Sequence, residues 1–440
     1  MLECIVTKFG GSSLANDEQF RKVRSILELE PTRRYLVPSA PGKRFKEDDK
    51  VTDLLYLCHS LASEGKPFQA EFAKIRDRYL SIAQGLHLRV DIASALDEVE
   101  QGIATGRGRD WCASRGEYLC GLLMADYLGW RFVDAAEGIV FHEDGTLDDE
   151  KTQEKLSALL SDGKSAVVPG FYGAKESGEV CTFSRGGSDI TGALVSRAVQ
   201  ADVYENWTDV SGFLMADPRI VDSPAEISSI TYKELRELSH MGASVLHEDA
   251  MFPVHRAGIP TNIRNTNKPY HPGTMISKNA PNEISVPTIT GIAGHQGYSV
   301  ISVEKNMMNS EVGFGRKVLQ VLEDYGVPFE HMPTGIDSLC VVTSSAALAP
   351  HREEILREIE ALVENSGSVS VGDQLSIIAT VGRGMVHNCG TAARLFSAMS
   401  RARINVRMID QGSSELSIIV GVNDSDFEAT VRAIYHEFVG

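Results

Sequence analysis

A chain of 440 residues is too long for one ordinary hydrophobic core and predicts two or three domains. With 42% hydrophobic and 23% charged residues it reads as a soluble globular protein, and a formal charge of −17 argues against nucleic acid and anionic lipid as partners. No apolar run suits a membrane span, and the opening residues lack a signal peptide's charged and apolar regions. Seven scattered cysteines without a Cys-x-x-Cys pair fit reduced thiols in the cytoplasm.

In chain order, residues 4–9 read as a first strand and residues 16–30 as a helix with Phe20, Val23, Ile26 and Leu27 on one face. Residues 35–38 read as a strand, 51–63 as a helix, and 165–168, 202–205 and 261–263 as further strands. This alternation predicts an α/β domain around a largely parallel sheet. It ends near the polar stretch Asn279-Ala280-Pro281-Asn282.

The remaining residues carry an ungapped internal repeat. Ser299-Val300-Ile301 aligns with Ser376-Ile377-Ile378, and the same offset of 77 residues carries Gly313 onto Gly390, Leu322 onto Met399 and Val341-Val342 onto Ile418-Ile419. Each copy reads strand, glycine-led helix, strand, strand, helix, the last helices falling at 350–365 and 424–438. One such unit leaves a sheet face and edges uncovered, so the two copies are expected to pack on each other. The expected domains are 1–282, 283–370 and 371–440, the last two interlaced.

Lys8-Phe9-Gly10-Gly11-Ser12-Ser13 stands between the first strand and the first helix. Paired glycines let backbone N–H groups approach phosphate oxygens, and a helix N-terminus adds a favourable dipole. Lys8 stands where its ammonium can reach bridging and terminal phosphate oxygens, though a plain glycine turn beside a surface lysine reads the same way. The stretch lacks P-loop spacing. Ser184-Arg185-Gly186-Gly187-Ser188-Asp189, ahead of the helical run 190–199, offers a second amide nest. Arg185 suits bidentate recognition of a carboxylate, and Asp189 could orient Lys8 or hold a metal-bound water. Two glycine turns on one sheet edge say more than either alone.

The loop Trp207-Thr208-Asp209-Val210-Ser211-Gly212 could hold a base and ribose, with Arg219 of Asp217-Pro218-Arg219 supplying charge to phosphates; a simple turn is the alternative. Residues 113–117 open a helical run to Leu128, which places Glu117 near a first turn where an acid complements the dipole. Ser39 looks like part of a turn and Thr52 like a cap. His240, His247 and His255 lack metal-ligand spacing, and the acidic residues 143–150 lack EF-hand spacing.

In these three motifs and the duplicated tail the chain resembles the aspartate kinases, monofunctional members of the amino-acid kinase family with tandem C-terminal ACT domains. The resemblance implies a three-layer αβα kinase domain followed by two βαββαβ ACT modules. It implies transfer of phosphoryl from ATP, with Mg²⁺ on the phosphates, to L-aspartate, giving 4-phospho-L-aspartate for lysine, threonine and methionine synthesis. Lys8 and Asp189 would be catalytic; Ser39, Thr52, Glu117, Arg185 and Ser188 would bind aspartate. Lys8, Gly10, Gly11, Ser12, Thr208, Asp209, Asp217, Arg219 and Ser244 would serve ATP, with no metal held by the protein itself. Ser244 replaces a lysine frequent in the family's Gly-Ala-Lys-Val-Leu-His segment, which leaves Lys8 and Arg219 more of the charge to supply, and Leu214 replaces a frequent aromatic. Met308, Phe314, Gly315 and Asp337 would contact a feedback amino acid, lysine first and threonine second. Such ACT pairs imply a homodimer or a dimer of dimers.

Overall fold

The computed structural model describes residues 3–184, 186–242, 248–278 and 287–440. By its contacts the chain divides into two units, one of residues 1–213, 228–232 and 245–281, the other of 214–227, 233–244 and 282–440. The division differs from a single cut at 282, because two segments from within the first 282 residues belong with the C-terminal unit. Among the described residues no helix is long and apolar enough to cross a membrane.

In chain order the first elements are β1 (Ile5–Phe9), α1 (Asp17–Glu28), β2 (Arg33–Pro38), α2 (Val51–Ser63), α3 (Gln69–Leu86), α4 (Ile92–Ala104), α5 (Arg109–Leu128), β3 (Arg131–Phe132), α6 (Ala135–Gly138), β4 (Val140–Phe141) and α7 (Asp149–Leu159). They are followed by β5 (Ala166–Val167), β6 (Tyr172–Lys175), β7 (Val180–Thr182), α8 (Gly187–Ala198), β8 (Val203–Thr208), β9 (Phe213–Leu214), β10 (Glu226–Ile227), β11 (Ser229–Thr231), α9 (Tyr232–His240), α10 (Glu248–Ala257), β12 (Thr261–Asn265) and β13 (Thr274–Ser277). Eight strands form one sheet in the order β11-β13-β12-β8-β1-β2-β5-β3, parallel at every pair except β12–β13.

The alternation of side chains along the strands builds three layers. Phe9, Leu36, Val167 and Trp207 point to one face and join Phe20, Leu55 and Tyr79 in a single core under α1 to α5. The alternate residues, among them Lys8, Tyr204 and Asn206, point to the face covered by α8. There Gly192 of α8 lies so near the Tyr204 ring that a Cβ would fall 2.6 Å from it. Asn16 caps α1 by accepting from the Gln19 N–H, and Asp17 and Glu18 in the first turn complement its dipole.

Within the second unit, residues 287–440 form one antiparallel sheet in the order β15-β14-β16-β18-β17, with β14 at Gly291–Lys305, β15 at Ser338–Ser344, β16 at Gly367–Val381, β17 at Met408–Asp410 and β18 at Ser417–Asn423. Its helices are α11 (Phe314–Asp324), α12 (Ser345–Leu348), α13 (Arg352–Val363), α14 (Thr391–Arg401) and α15 (Phe427–Phe438). The repeat is visible in its caps: Gly313 and Gly390, 77 residues apart, both stand at φ 85° ahead of α11 and α14, in the left-handed region that a side chain disfavours.

The expected packing of the copies on each other takes the form of one shared sheet. Two details differ from the sequence reading. The boundary at 370/371 falls inside β16. In place of the extra strand expected in the first copy there are only the isolated bridges His331–Val342 and Thr334–Leu339. Pro328 and Pro333 interrupt that segment and cannot donate to a ladder, whereas residues 403–412 of the second copy carry no proline.

β14 and β16 serve two cores. Ile301 and Val303 pack with Phe314, Leu322 and Ile355, while Ile292 and Ile378 pack with Leu395, Val420 and Ile434. Glu234 of α9, fully buried, accepts from the Thr290 hydroxyl (2.6 Å), the Arg383 N–H (2.9 Å) and the Arg383 guanidinium (2.9 Å). A buried carboxylate needs such partners, which fastens α9 within this unit.

Candidate active site

β1 lies between β2 and β8, so the chain leaves β1 towards one side of the sheet and returns on the other. Open α/β sheets bind ligands at such a switch point, beyond the carboxyl ends of the strands. Lys8 and Asn206 are register partners across β1 and β8 at this place. The Lys8 ammonium sits 2.6 Å from Asp189 Oδ1 and 3.5 Å from Asn206 Oδ1, and the Asn206 amide donates to the same Asp189 oxygen at 2.8 Å. Asp189 stands in the first turn of α8, preceded by Gly186 at φ 62°. The result is a buried cation with a carboxylate and an amide fixing its direction.

The glycine turn wraps this cation. A Cβ on Gly10 would lie 3.8 Å from Lys8 Nζ, and the Gly10 N–H donates to Trp207 O at 3.0 Å. Gly11 lies against the loop after β2, where a Cβ would meet Ala40 O at 2.9 Å and Gly42 N at 3.1 Å, both backbone atoms. Gly11→Ala must therefore displace main chain. Its expected result is a loss of about 1–3 kcal/mol in a urea titration. Ser12 is exposed at the turn, while Ser13 is buried and hydrogen-bonded to Thr266 Oγ1 at 2.7 Å. The Thr266 N–H donates to Thr208 O at 2.9 Å, and the Asn265 amide donates to Asp209 O (3.2 Å) and Ser211 Oγ (3.0 Å). The turn and the Thr208 loop are thus tied together by Asn265 and Thr266, two residues the motifs did not include.

Glu117 lies elsewhere in its helix than its sequence suggested. α5 begins at Arg109 after Gly108, so Glu117 stands in the third turn, fully buried, with no role in dipole compensation. Its Oε2 has no hydrogen-bond partner within the protein. Burial pushes its pKa up to about 8, against the opposing pulls of the Ala40 backbone N–H and the Lys8 charge. A buried carboxyl with an unpartnered oxygen has the capacity to accept a hydrogen bond from a cationic group. Ser188, buried in the first turn of α8, is admitted by Gly170, where a Cβ would fall 2.5 Å from Ser188 Oγ. Ser39 is half-buried just beyond β2, its N–H donating to Phe9 O. Thr52 is the second residue of α2, whose cap is Lys50, so Thr52 is not a cap.

Other expectations fare differently. Arg185 and Ser244 lie outside the described residues, as does His247. Asp217 and Arg219 belong to the second unit, where Asp217 accepts from both the backbone and the guanidinium of Arg219, whose side chain is 88% exposed. They form the turn that was the alternative reading, and Arg219's charge is partnered within it. Met308 and Phe314 turn into the core of the first repeat, so their side chains do not face an effector. On the surface beside them stand Met307 and Val312, with Gly315 open to solvent and Asp337 exposed. Among the described residues no three His, Cys, Asp or Glu side chains group to hold a metal ion. Asn206 is a further residue that sequence reasoning missed; its signal was an amide beside Glu205 in the strand leading into Trp207.

The amino acid kinase family matches residues 3–265, and the ACT domain matches residues 378–438. Aspartokinase 3 of Bacillus subtilis (strain 168) is 38% identical over 450 residues, covering 98% of each chain. The chain belongs to the aspartokinase family. The solved aspartate kinase of Clostridium acetobutylicum superposes on this family member with a TM-score of 0.92 at 51% identity, covering 99% of this chain and 100% of that one. Two structures of E. coli aspartokinase III share the fold over 100% of each chain. One, described in complex with aspartate and ADP, gives a TM-score of 0.73 at 24% identity; the other, with lysine and aspartate, gives 0.74 at 23%.

Proposed function

We propose that this chain transfers the γ-phosphoryl group of ATP to the side-chain carboxylate of L-aspartate, forming 4-phospho-L-aspartate. The observation that carries the reading is the pairing of a directed cation, Lys8 held by Asp189 and Asn206, with the buried, half-partnered carboxyl of Glu117 at one sheet edge. The first suits a transferring phosphoryl group, the second the ammonium of an amino acid. Membership of the aspartokinase family supports the choice of aspartate.

In this reading the Gly11 amide and the Ser12 hydroxyl cradle phosphate oxygens, Gly10 keeps the turn close to Lys8 with its own N–H bound to Trp207 O, and the Thr208–Asp209 loop meets the nucleotide. Lys8 stabilises charge on the phosphoryl group as it passes to the aspartate carboxylate, while Asp189 and Asn206 keep the ammonium aimed. Ser39, Thr52, Arg185 and Ser188 complete the aspartate pocket, and Mg²⁺ arrives with ATP as part of the substrate. Transfer needs no covalent enzyme intermediate, only positioning and charge stabilisation. Purified protein should release ADP only when aspartate is present. Failure of aspartate to stimulate release in a coupled assay sinks the proposal.

We assign the first repeat as the effector module, with lysine as the first candidate and threonine second, acting in the cytoplasm on the entry to lysine, threonine and methionine synthesis in a homodimer or dimer of dimers. Inhibition requires the effector to bind one state of the enzyme better than another. Lysine titration should inhibit, and Asp337→Ala should raise the inhibitory concentration roughly tenfold or more, the range of one charged hydrogen bond. Unchanged inhibition in that variant places the effector elsewhere.

A further inference from the structure

Three residues that leave β2, Ala40, Pro41 and Gly42, run between the glycine turn and α5. On one side the Gly42 N–H donates to Gly11 O at 2.8 Å, with the backbones so close that a Cβ on Gly42 would fall 2.6 Å from the Gly11 carbonyl carbon. On the other side the Ala40 backbone N–H lies near enough to the Glu117 carboxyl to favour its ionised form, and a Cβ on Gly116 would lie 2.8 Å from that of Ala40. One short segment therefore touches both the phosphate turn and the carboxyl assigned to the amino-acid substrate. It lies beyond the last β1–β2 register pair, Phe9 with Pro38, so the sheet ladder does not fix it.

α3 fixes it instead. Arg78, buried, donates from Nη1 to Gly42 O at 2.7 Å and from Nη2 to Asp48 Oδ2 at 2.6 Å. Asp48, also buried, accepts the Arg44 N–H at 2.9 Å and its guanidinium at 2.8 and 2.9 Å. The Arg44 hydrogen bonds hold the Asp48 carboxyl well below the usual carboxylate range. The next residue of α3, Tyr79, donates to Gly116 O at 2.6 Å. Consecutive residues of one helix thus grip the loop and the helix that carries Glu117. A buried ion pair is weak as a source of stability, since apolar side chains of similar volume do as well, so its use here is geometric.

We infer that Arg78 and Asp48 are positioning residues of the phosphoryl-transfer site: they hold Ala40–Gly42 so that the glycine turn and Glu117 keep one fixed spacing. The inference rests on the proposed reaction for its kinetic readout. It is tested with Asp48→Asn, Arg78→Met and Arg78→Lys in the full chain, each checked by thermal melting. Asp48→Asn and Arg78→Met should lower kcat/KM for both ATP and aspartate by roughly 10–100-fold, as displacements near 1 Å do. The acid limb of the aspartate pH profile should move to higher pH, because losing the Ala40 N–H removes a contact that favours ionised Glu117. Arg78→Lys keeps a donor for Gly42 O and should recover part of the loss.

Unchanged kinetic constants with an unmoved acid limb in Asp48→Asn overturn the inference, whatever its melting temperature. Should Arg78→Met fail to fold, Asp48→Asn and Arg78→Lys decide the matter. Should the wild type release no ADP with aspartate, the proposed reaction falls instead. ATP affinity then becomes the measure, and equal affinity in wild type and Asp48→Asn overturns the positioning role.

Discussion

Lys8→Met should lower kcat for aspartate-dependent ADP release by roughly 10²–10³-fold, the usual consequence of removing one pre-aimed electrostatic group from a transition state. Methionine keeps the length and most of the apolar stem but brings no charge to the phosphoryl group. The residue is suited to this test because its direction is set by two partners, Asp189 at 2.6 Å and Asn206 at 3.5 Å, rather than by solvent. The loss should fall on kcat more than on KM for ATP, since the Gly11 amide and the Ser12 hydroxyl still hold the phosphates. Stability should fall as well, by a few kcal/mol, because Asp189 is left without its cation. Adding Asp189→Asn should restore the melting temperature but not the rate, which separates the two effects. Activity within twofold of wild type in Lys8→Met removes Lys8 from the chemistry.

Glu117→Gln should raise KM for aspartate roughly 10–100-fold, the range of a lost charged hydrogen bond, with little change in KM for ATP. The pH behaviour is more diagnostic. With its pKa near 8, Glu117 is mostly protonated at neutral pH in the free protein. An ammonium ligand requires the ionised form. Aspartate binding at pH 7 should therefore release close to one proton, and apparent affinity should rise as pH approaches 8. Calorimetry in two buffers of different ionisation enthalpy measures that proton directly, and Glu117→Gln should abolish it.

The stability linkage has the opposite sign to that of an ion-paired acid. The folded state binds the Glu117 proton more tightly than the unfolded chain, whose ordinary value is 4.5. The free protein should accordingly lose stability as pH rises from about 4.5 to about 8, and Glu117→Gln should flatten that slope. Equal slopes in the two proteins refute the assignment.

The fold was legible where local signals were strong. Asn16 before an apolar stripe gave α1, and 51–63 was read to the residue. β5 lies within the strand read at 165–168, whereas the two-residue strand β3 exists only through its sheet neighbour and left no local pattern to bound it. α5 was started four residues late because Arg109 to Cys112 carry no helical apolar stripe; the consequence was to give Glu117 a surface role it does not have. Lys8 and Asp189 were picked out because each adjoins a glycine motif, Lys8 before its pair and Asp189 after, whereas Asn206 acts through register across β1 and β8, which one strand's sequence does not state. Met308 and Phe314 were placed by resemblance of position. Their side-chain direction is set by the core beneath α11, where an apolar residue is worth about 1.5–3 kcal/mol when buried.

β14 and β16 are each 15 residues long and pair in two stretches, 291–295 with 377–381 and 300–305 with 367–372. A module that owns all of its strands can be passed between proteins as a cassette, but these copies cannot. A gene cut after residue 366 would strip β14 of its neighbour along both stretches, and a transplanted second copy would arrive without 291–295. Duplication here produced an inseparable pair rather than a spare part. Mutations that tune one copy bend the strand on which the other is built, so the two must drift through evolution together.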